Sequence, residues 1–264
     1  MTEQIILGII QGITEWLPIS SEGAIVLVKT NIVHTGESLE ALILQALQLH
    51  LGTFLAALLY FHREVRDVLT TLIRFKTQPK GQQRLFSFLF ISTVLSGIVG
   101  FVLLKAFSHF SSQFSNQGKI VTIGIGILLL GTAYLELKAK KSGYRTLEDI
   151  TTADSFLLGF VQGLAALPGL SRSGLTVSML LLRKFDKNCA LKLSFLMSLP
   201  IVLGGNIILN ASLLGWSREI LAGVFFAFIF GLATIHLLLW IAHKINFGYF
   251  VLFFGILTIL SAVI

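Results

Sequence analysis

The chain alternates between long apolar segments and short polar loops. Six apolar segments are long enough to cross a bilayer as helices, at about 41–61, 85–104, 120–137, 190–213, 220–241 and 247–264. Two further apolar stretches, 2–34 and 155–182, are interrupted by Pro, Gly and Ser. Irregular backbone at membrane depth is tolerated where it lines an enclosed or wet cavity. The pattern predicts an all-α integral membrane protein with about six transmembrane helices and two re-entrant broken-helix hairpins.

The two interrupted stretches are similar to each other. Residues 7–23 read LGIIQGITEWLPISSEG, and residues 158–176 read LGFVQGLAALPGLSRSGLT. Both contain Leu-Gly and Gln-Gly at the same spacing, and when Pro18 is aligned with Pro168, an insertion after Pro168 aligns Ser21 with Ser173. We therefore interpret the two stretches as copies of one repeat.

Composition agrees with a membrane protein. Hydrophobic residues make up 55% of the chain and charged residues 12%, and the mean hydropathy is +0.86, far above that of a soluble domain. The single cysteine, Cys189, excludes an intramolecular disulfide and a cysteine metal cluster. No basic segment precedes a short apolar core at the N-terminus, so the first hydrophobic stretch is predicted to be retained.

The distribution of charge predicts the topology. The loops 62–84, 138–154, 183–192 and 242–246 contain fifteen of the twenty Lys and Arg residues. The positive-inside rule places these loops in the cytoplasm and both termini outside. The two hairpins then enter from opposite faces, as an inverted repeat with halves of about 1–137 and 155–264 and a cytoplasmic linker, 138–154, in one membrane domain. Contact with anionic lipid accounts for the net charge of +7 without nucleic acid.

Two ionisable residues stand within the interruptions. An arginine at membrane depth is costly, so Arg172 is expected to face a partner or a cavity. Neighbouring glycines, the hydroxyls of Ser171, Ser173 and Thr176, and a half-helix beginning around Ser173 are typical of a phosphate site. The alternative is a structural pair between Arg172 and Glu15 that joins the two broken helices.

Glu15 lies one helical turn after Gln11, so both side chains are predicted on one helix face. Beside an anion site, a carboxylate suits a divalent cation that bridges to phosphate oxygens, or a base that activates a nucleophile. Alternatively, Glu15 only neutralises Arg172. Ser20 and Ser21 can bind phosphate, coordinate metal, attack as a nucleophile, or cap the second half-helix.

At these residues the chain resembles a known family. QGITEWLPISSEG (11–23) is similar to the N-terminal signature of the undecaprenyl-diphosphatase, or bacitracin-resistance, family, (E/Q)GxTEFLPxSSxGH. PGLSRSGLT (168–176) matches that family's PGxSRSGxT. LHLGTFLAALLYF (49–61) and FLMSLPIVLGG (195–205) resemble further segments, so the likeness covers most of the chain.

The resemblance implies an inner-membrane phosphatase that converts undecaprenyl (polyprenyl) diphosphate to the monophosphate and phosphate. Such an enzyme recycles the lipid carrier for peptidoglycan and other envelope polymers and confers bacitracin resistance. The resemblance also implies a divalent cation (Mg²⁺ or Ca²⁺), a lipid substrate in the bilayer and a site that opens to the outer face; a homodimer is left open. Its site residues carry over to Glu15, Ser20, Ser21, Ser171, Arg172, Ser173 and Thr176.

Two positions depart from the family pattern. The pattern allows Gln11, but this residue removes one anionic metal ligand, and Glu22 is a candidate to replace it, so the candidate metal ligands are Glu15, Gln11 and Glu22. Ala24 stands where most members have histidine, and it can neither relay a proton nor attack phosphorus. The chemistry then falls to Ser21, or to a water that Glu15 activates.

Other histidines are candidate stand-ins for the missing imidazole. His34 and His50 are considered for this role, with hydrogen-bonded packing as the alternative, and His236 in the fifth span is left outside the site.

Two rival functions remain. Inverted repeats with broken helices also suit a transporter or flippase of the polyprenyl-phosphate carrier without hydrolysis. An inactive structural relative is the third interpretation.

Overall fold

The computed structural model describes residues 1–17, 20–29, 33, 39–113, 118–138, 143–167, 170–210, 217–241, 249, 252–253, 255–256 and 259–260. These residues form an all-α protein with no named β-strand among them. The helices are α1 (Thr2–Thr14), α2 (Ser21–Val28), α3 (Leu39–Tyr60), α4 (His62–Ile73), α5 (Lys80–Gln113), α6 (Gly118–Lys138), α7 (Thr152–Leu164), α8 (Arg172–Leu182), α9 (Lys187–Asn210) and α10 (Arg218–Ile241).

Several of these helices can cross a membrane. Within the described residues, α5, α9 and α10 are each long and apolar enough, and α3 together with α4 forms a fourth, bent candidate. The predicted segments 41–61, 85–104, 120–137, 190–213 and 220–241 fall on α3, α5, α6, α9 and α10. The segment 247–264 lies largely outside the described residues. The protein is therefore a multi-pass membrane protein.

The region 62–84, which the charge pattern assigned to a loop, is mostly helical, and this prediction is wrong. Its first part forms α4, which bends by 85° from α3. Leu69, Leu72 and Ile73 are exposed on it. Apolar and basic residues at helical spacing in this segment suit a helix that lies in the membrane interface.

Each interrupted stretch folds into a hairpin of two short helices, α1–α2 and α7–α8. In the first, Glu3 at the start of α1 pairs with Lys29 at the end of α2, with 2.9 Å between Oε1 and Nζ. In the second, Asp154 near the start of α7 pairs with Arg183 at the end of α8, with 2.7 Å between Oδ1 and Nε. The chain therefore leaves each hairpin at the end where it entered.

The helix caps correct the register of the repeat. Ser20 caps α2 and Ser171 caps α8, with φ/ψ angles of −71°/108° and −73°/117°. With the caps aligned, equivalent residues differ by 151 in number from Leu7 and Leu158 through to Ser20 and Ser171, without the insertion that the proline alignment required. In this register Ser21 matches Arg172, not Ser173.

The hairpins pack against long helices through glycines. Gly8 of α1 contacts the backbone of Gly223 in α10, where an added Cβ would lie 2.1 Å from the carbonyl oxygen. Gly159 of α7 meets Ser92 of α5, where an added Cβ would lie 2.9 Å from Ser92 Cα. This close approach fixes the depth of both helix breaks, and with it the position of the polar residues.

Candidate active site

The first turns of α2 and α8 line one cavity of about 460 Å³. Ser20 Oγ accepts from the Gly23 amide at 3.0 Å, and Ser171 Oγ accepts from the Gly174 amide at 3.1 Å. Each cap satisfies one of the amides that a helix start leaves without an intrahelical partner. The remaining first-turn amides and both helix dipoles favour an anion at this place.

Glu15 is the centre of the polar network. It is the C-cap residue of α1, and its side chain is 5% exposed. Its Oε2 accepts from Gln11 Nε2 at 2.9 Å and from Ser21 Oγ at 2.8 Å, and it lies 3.0 Å from His50 Nε2. Its Oε1 pairs with Arg172 Nη2. The carboxylate thus joins α1, α2, α3 and α8.

Arg172 connects the two hairpins. Besides the pair with Glu15, its Nη1 donates to the Ser194 carbonyl at 3.4 Å, and its guanidinium lies 5.7 Å from the centre of the Trp16 ring. Ser173 Oγ adds a second connection by donating to the Leu17 carbonyl at 2.7 Å. The pair with Glu15 that the structural alternative requires is therefore present. It also lines the cavity, where a bound anion can reach the guanidinium.

The remaining residues predicted from the sequence divide into two groups. Ser20, Ser21, Glu22, Ser171 and Ser173 line the cavity beside Glu15 and Arg172. Ser171 Oγ lies 3.2 Å from Ser173 Oγ.

Thr176 and Gln11 belong to the support of the site. Thr176 is fully buried and does not line the cavity; its Oγ1 donates to the Arg172 carbonyl at 2.8 Å and lies 2.6 Å from Ser194 Oγ. Gln11 is also fully buried and contacts the site through its hydrogen bond to Glu15.

The predicted metal ligands do not form a cage. Among the described residues no three His, Cys, Asp or Glu side chains converge as a metal centre. Both oxygens of Glu15 already accept from protein donors, while Glu22 lines the cavity. This donor set fits Mg²⁺ only in the manner usual for phosphate enzymes, in which a carboxylate and the substrate's own phosphates share the ion.

The structure places His50 in the site. The sequence had left open whether His50 belongs to the site or is a packing residue. It lies on α3, lines the cavity and contacts Glu15 directly. The signal was a histidine within an apolar span, but nothing local in the sequence related it to the hairpins. His34 lies outside the described residues. His236 meets the Tyr60 hydroxyl at 3.3 Å and does not line the cavity.

Besides the polar side chains of Thr93, Ser96 and Gln162, the rest of the cavity wall is mostly apolar. The apolar side chains come from α3, α5 and α9 and include Leu44, Leu47, Val94, Phe101, Ile201 and Ile208. A polar cluster at two helix starts thus opens into a space that an apolar chain can occupy. This combination suits an amphiphile with an anionic head.

The family model described as bacitracin resistance protein BacA matches residues 4–260. The chain is also similar to curated proteins. A protein named undecaprenyl-diphosphatase from Methanococcoides burtonii is 42% identical over 268 residues, which cover 99% of this chain and 98% of that protein. Proteins of the same name from Methanothrix thermoacetophila and Halothermothrix orenii are each 34% identical, over 97% and 98% of this chain and 95% and 96% of their own lengths.

Proposed function

Because the chain belongs to the bacitracin resistance protein BacA family, we propose that it hydrolyses undecaprenyl or a related polyprenyl diphosphate to the monophosphate and inorganic phosphate. The observation that carries the proposal is the meeting of Glu15, Ser21 and Arg172 in one cavity at two helix starts. The activity would recycle the lipid carrier for envelope polymers and confer resistance to bacitracin.

Ser21 is our proposed nucleophile. Its hydroxyl donates to Glu15 Oε2 at 2.8 Å, which is the contact between nucleophile and base that covalent catalysis requires. Ser21 Oγ attacks the terminal phosphorus, its proton passes to Glu15, and the bond from that phosphorus to the bridging oxygen breaks. The polyprenyl monophosphate leaves. Glu15 passes its proton to the departing monophosphate and then takes a proton from a water that attacks the phosphoserine. The bond from phosphorus to Ser21 Oγ breaks, phosphate leaves, and Glu15 returns the proton to Ser21 Oγ.

Arg172 and the two helix starts would stabilise the charge on the phosphoryl oxygens. A guanidinium binds two phosphate oxygens at once, and fixed amides strengthen the effect in a site that excludes water. On substrate binding, the Arg172 guanidinium, which pairs with Glu15 in the structure, would bind the phosphate instead. Ser171 and Ser173 line the same wall and would add hydroxyl donors.

A divalent cation remains part of the proposal. Glu22 would hold it together with the diphosphate, and the ion would neutralise charge on the phosphate oxygens. Glu15, predicted as a ligand from the sequence, would then hold the nucleophile rather than the metal, and Gln11, also predicted as a ligand, would support Glu15.

We further propose six spans and an inverted repeat in the inner membrane, with both termini outside and the site open to the outer face. The two hairpins closed by ion pairs, and the concentration of basic residues in the four segments 62–84, 138–154, 183–192 and 242–246, support this arrangement. The apolar wall of the cavity would receive the polyprenyl tail from the bilayer. A homodimer stays a prediction, which the mass of the protein–detergent particle tests.

Phosphate release from undecaprenyl and farnesyl diphosphate by the purified full-length protein tests the proposed function. Arg172→Ala, Glu15→Ala and Ser21→Ala should each lower kcat by about 100-fold or more. Arg218→Gln, which changes an exposed arginine at the start of α10, is the matched control. EDTA should abolish turnover and added Mg²⁺ should restore it. Turnover that survives both Arg172→Ala and Glu15→Ala would contradict the residue assignment.

The second candidate is a flippase for the polyprenyl-phosphate carrier. The observation in its favour is the pairing of two broken-helix hairpins across one polar cavity, an arrangement that transporters use. Transfer of polyprenyl phosphate across proteoliposome membranes without phosphate release would favour this function over hydrolysis.

A further inference from the structure

His50 is held from both sides of its ring. Its Nδ1 lies 2.7 Å from the carbonyl oxygen of Ala46, one turn earlier on α3, and its Nε2 lies 3.0 Å from Glu15 Oε2. The side chain is 8% exposed and lines the cavity. Both ring nitrogens face oxygen acceptors, an arrangement that a doubly protonated imidazole satisfies by donating from both nitrogens. A ring flip would direct carbon atoms at these oxygens, so the orientation is fixed.

Glu15 accepts hydrogen bonds from several donors, but the proposed reaction would not leave all of these contacts in place. Arg172 is the group that an arriving phosphate attracts most strongly. Ser21 loses its proton to Glu15 when it attacks. Gln11 stands on the same helix as Glu15, so it moves with the carboxylate and cannot fix its position relative to α2.

His50 is different because it approaches from a third element. It lies on α3, whereas Glu15 ends α1 and Ser21 begins α2. Its bond to the Ala46 carbonyl ties the ring to the body of a long helix. It can therefore hold Glu15 in place after Arg172 has turned to the substrate.

We propose that His50 is a positioning residue of the phosphatase site: from α3, it keeps the Glu15 carboxylate aligned on Ser21 while the diphosphate engages Arg172. The proposal rests on the proposed function. It also accounts for Ala24, which is part-buried on α2, does not line the cavity and stands where the family pattern has histidine. An imidazole reaches the site here from another helix.

The test compares His50→Leu and His50→Gln with wild type in steady-state phosphate release. His50→Leu removes the donor and should lower kcat by about 100-fold, the cost of a small misplacement of a reacting group. KM should stay within about 3-fold, because Arg172 and the helix starts still bind the phosphates. His50→Gln keeps an N–H for Glu15, as Gln11 already does, and should retain kcat within about 5-fold of wild type.

Controls separate this role from a general loss of folding. His236→Gln, at a histidine that contacts Tyr60 outside the cavity, should leave both constants unchanged. Ala24→His should give no gain in the wild-type background. A His50→Leu variant with wild-type kcat, a change confined to KM, or a glutamine variant as slow as the leucine variant would overturn the positioning role.

An inactive wild type would instead refute the proposed hydrolysis. Positioning would then be read from a double-mutant cycle of His50→Leu with Glu15→Gln on melting temperature, where additive effects would refute the contact.

Discussion

The carboxylate of Glu15 forms hydrogen bonds and ion pairs with side chains on its own helix and on three other helices. A buried charge is stable only when it is paired and hydrogen-bonded, so the network around it has to be complete. The motif residues Glu15, Ser21 and Arg172 were predicted from their chemistry and spacing. His50 was left open between site and packing, because its contact with Glu15 exists only after α3 has packed against the first hairpin.

Thr176 gives a prediction at the same scale. Its hydroxyl bonds the Arg172 carbonyl and Ser194 Oγ behind the cavity, so Thr176→Val should act on stability rather than on substrate binding. The buried Ser194 hydroxyl would lose its partner, which costs about 1–3 kcal/mol. We expect a lower melting temperature with KM unchanged, and Thr176→Ser should behave like wild type. A raised KM at unchanged stability would instead support the role in phosphate binding that the sequence predicted for Thr176.

At the scale of helices, glycine contacts set where the site lies. Gly8→Ala would place a methyl group 2.1 Å from the Gly223 carbonyl oxygen, so α1 must move away from α10. Such overpacking costs about 1–3 kcal/mol, and it would also displace Glu15 at the end of α1. We expect a lower melting temperature and a lower kcat. Gly131→Ala on α6, where no atom of the described residues lies within 4 Å of the added carbon, is the control. Equal effects of the two changes would argue against the close contact.

We expect the stability that the ion-pair cluster at the open end of the second hairpin contributes to depend on pH. Burial alone would raise the pKa of Asp154, but hydrogen bonds from Arg145, Thr151 and Arg183 outweigh it and hold the pKa well below its usual range. The folded state therefore binds fewer protons than the unfolded chain. The stabilisation from this carboxylate is complete above the ordinary pKa of Asp, about 3.9, and is lost as the pH falls towards the folded value.

Asp154→Asn should accordingly lower stability by about 3 kcal/mol at neutral pH, because it leaves two arginines without their carboxylate. The difference from wild type should shrink as the pH falls below about 4. Melting curves of both proteins in detergent at several pH values measure it. Arg183→Gln should give a smaller loss, since Arg145 still bonds Asp154. A difference that stays constant down to the lowest pH would contradict this account of the cluster.

For the whole molecule, the sequence predicted the helical class and the two hairpins because hydropathy and helix breakers act locally. It placed segments 41–61, 85–104 and 220–241 on helices that the structure contains. It assigned 62–84 to a loop because averaged hydropathy does not detect the amphipathic helix α4. It misaligned the repeat because the prolines differ by one position, whereas the caps Ser20 and Ser171 define the helix starts.

Orientation in the membrane is the property of the whole chain that can be tested most directly. Cys189 is the single cysteine and is buried, so Cys189→Ala gives a cysteine-free background. One cysteine at a time can then be introduced at two exposed positions as a target for labelling. Thr2 and Lys76 are both exposed, at the start of α1 and between α4 and α5. The positive-inside rule predicts Lys76 in the cytoplasm and the N-terminus outside. A maleimide that cannot cross membranes should therefore label Thr2→Cys in intact cells and label Lys76→Cys only after permeabilisation. Labelling of both cysteines in intact cells would contradict this orientation, and the reverse pattern would turn the site towards the cytoplasm.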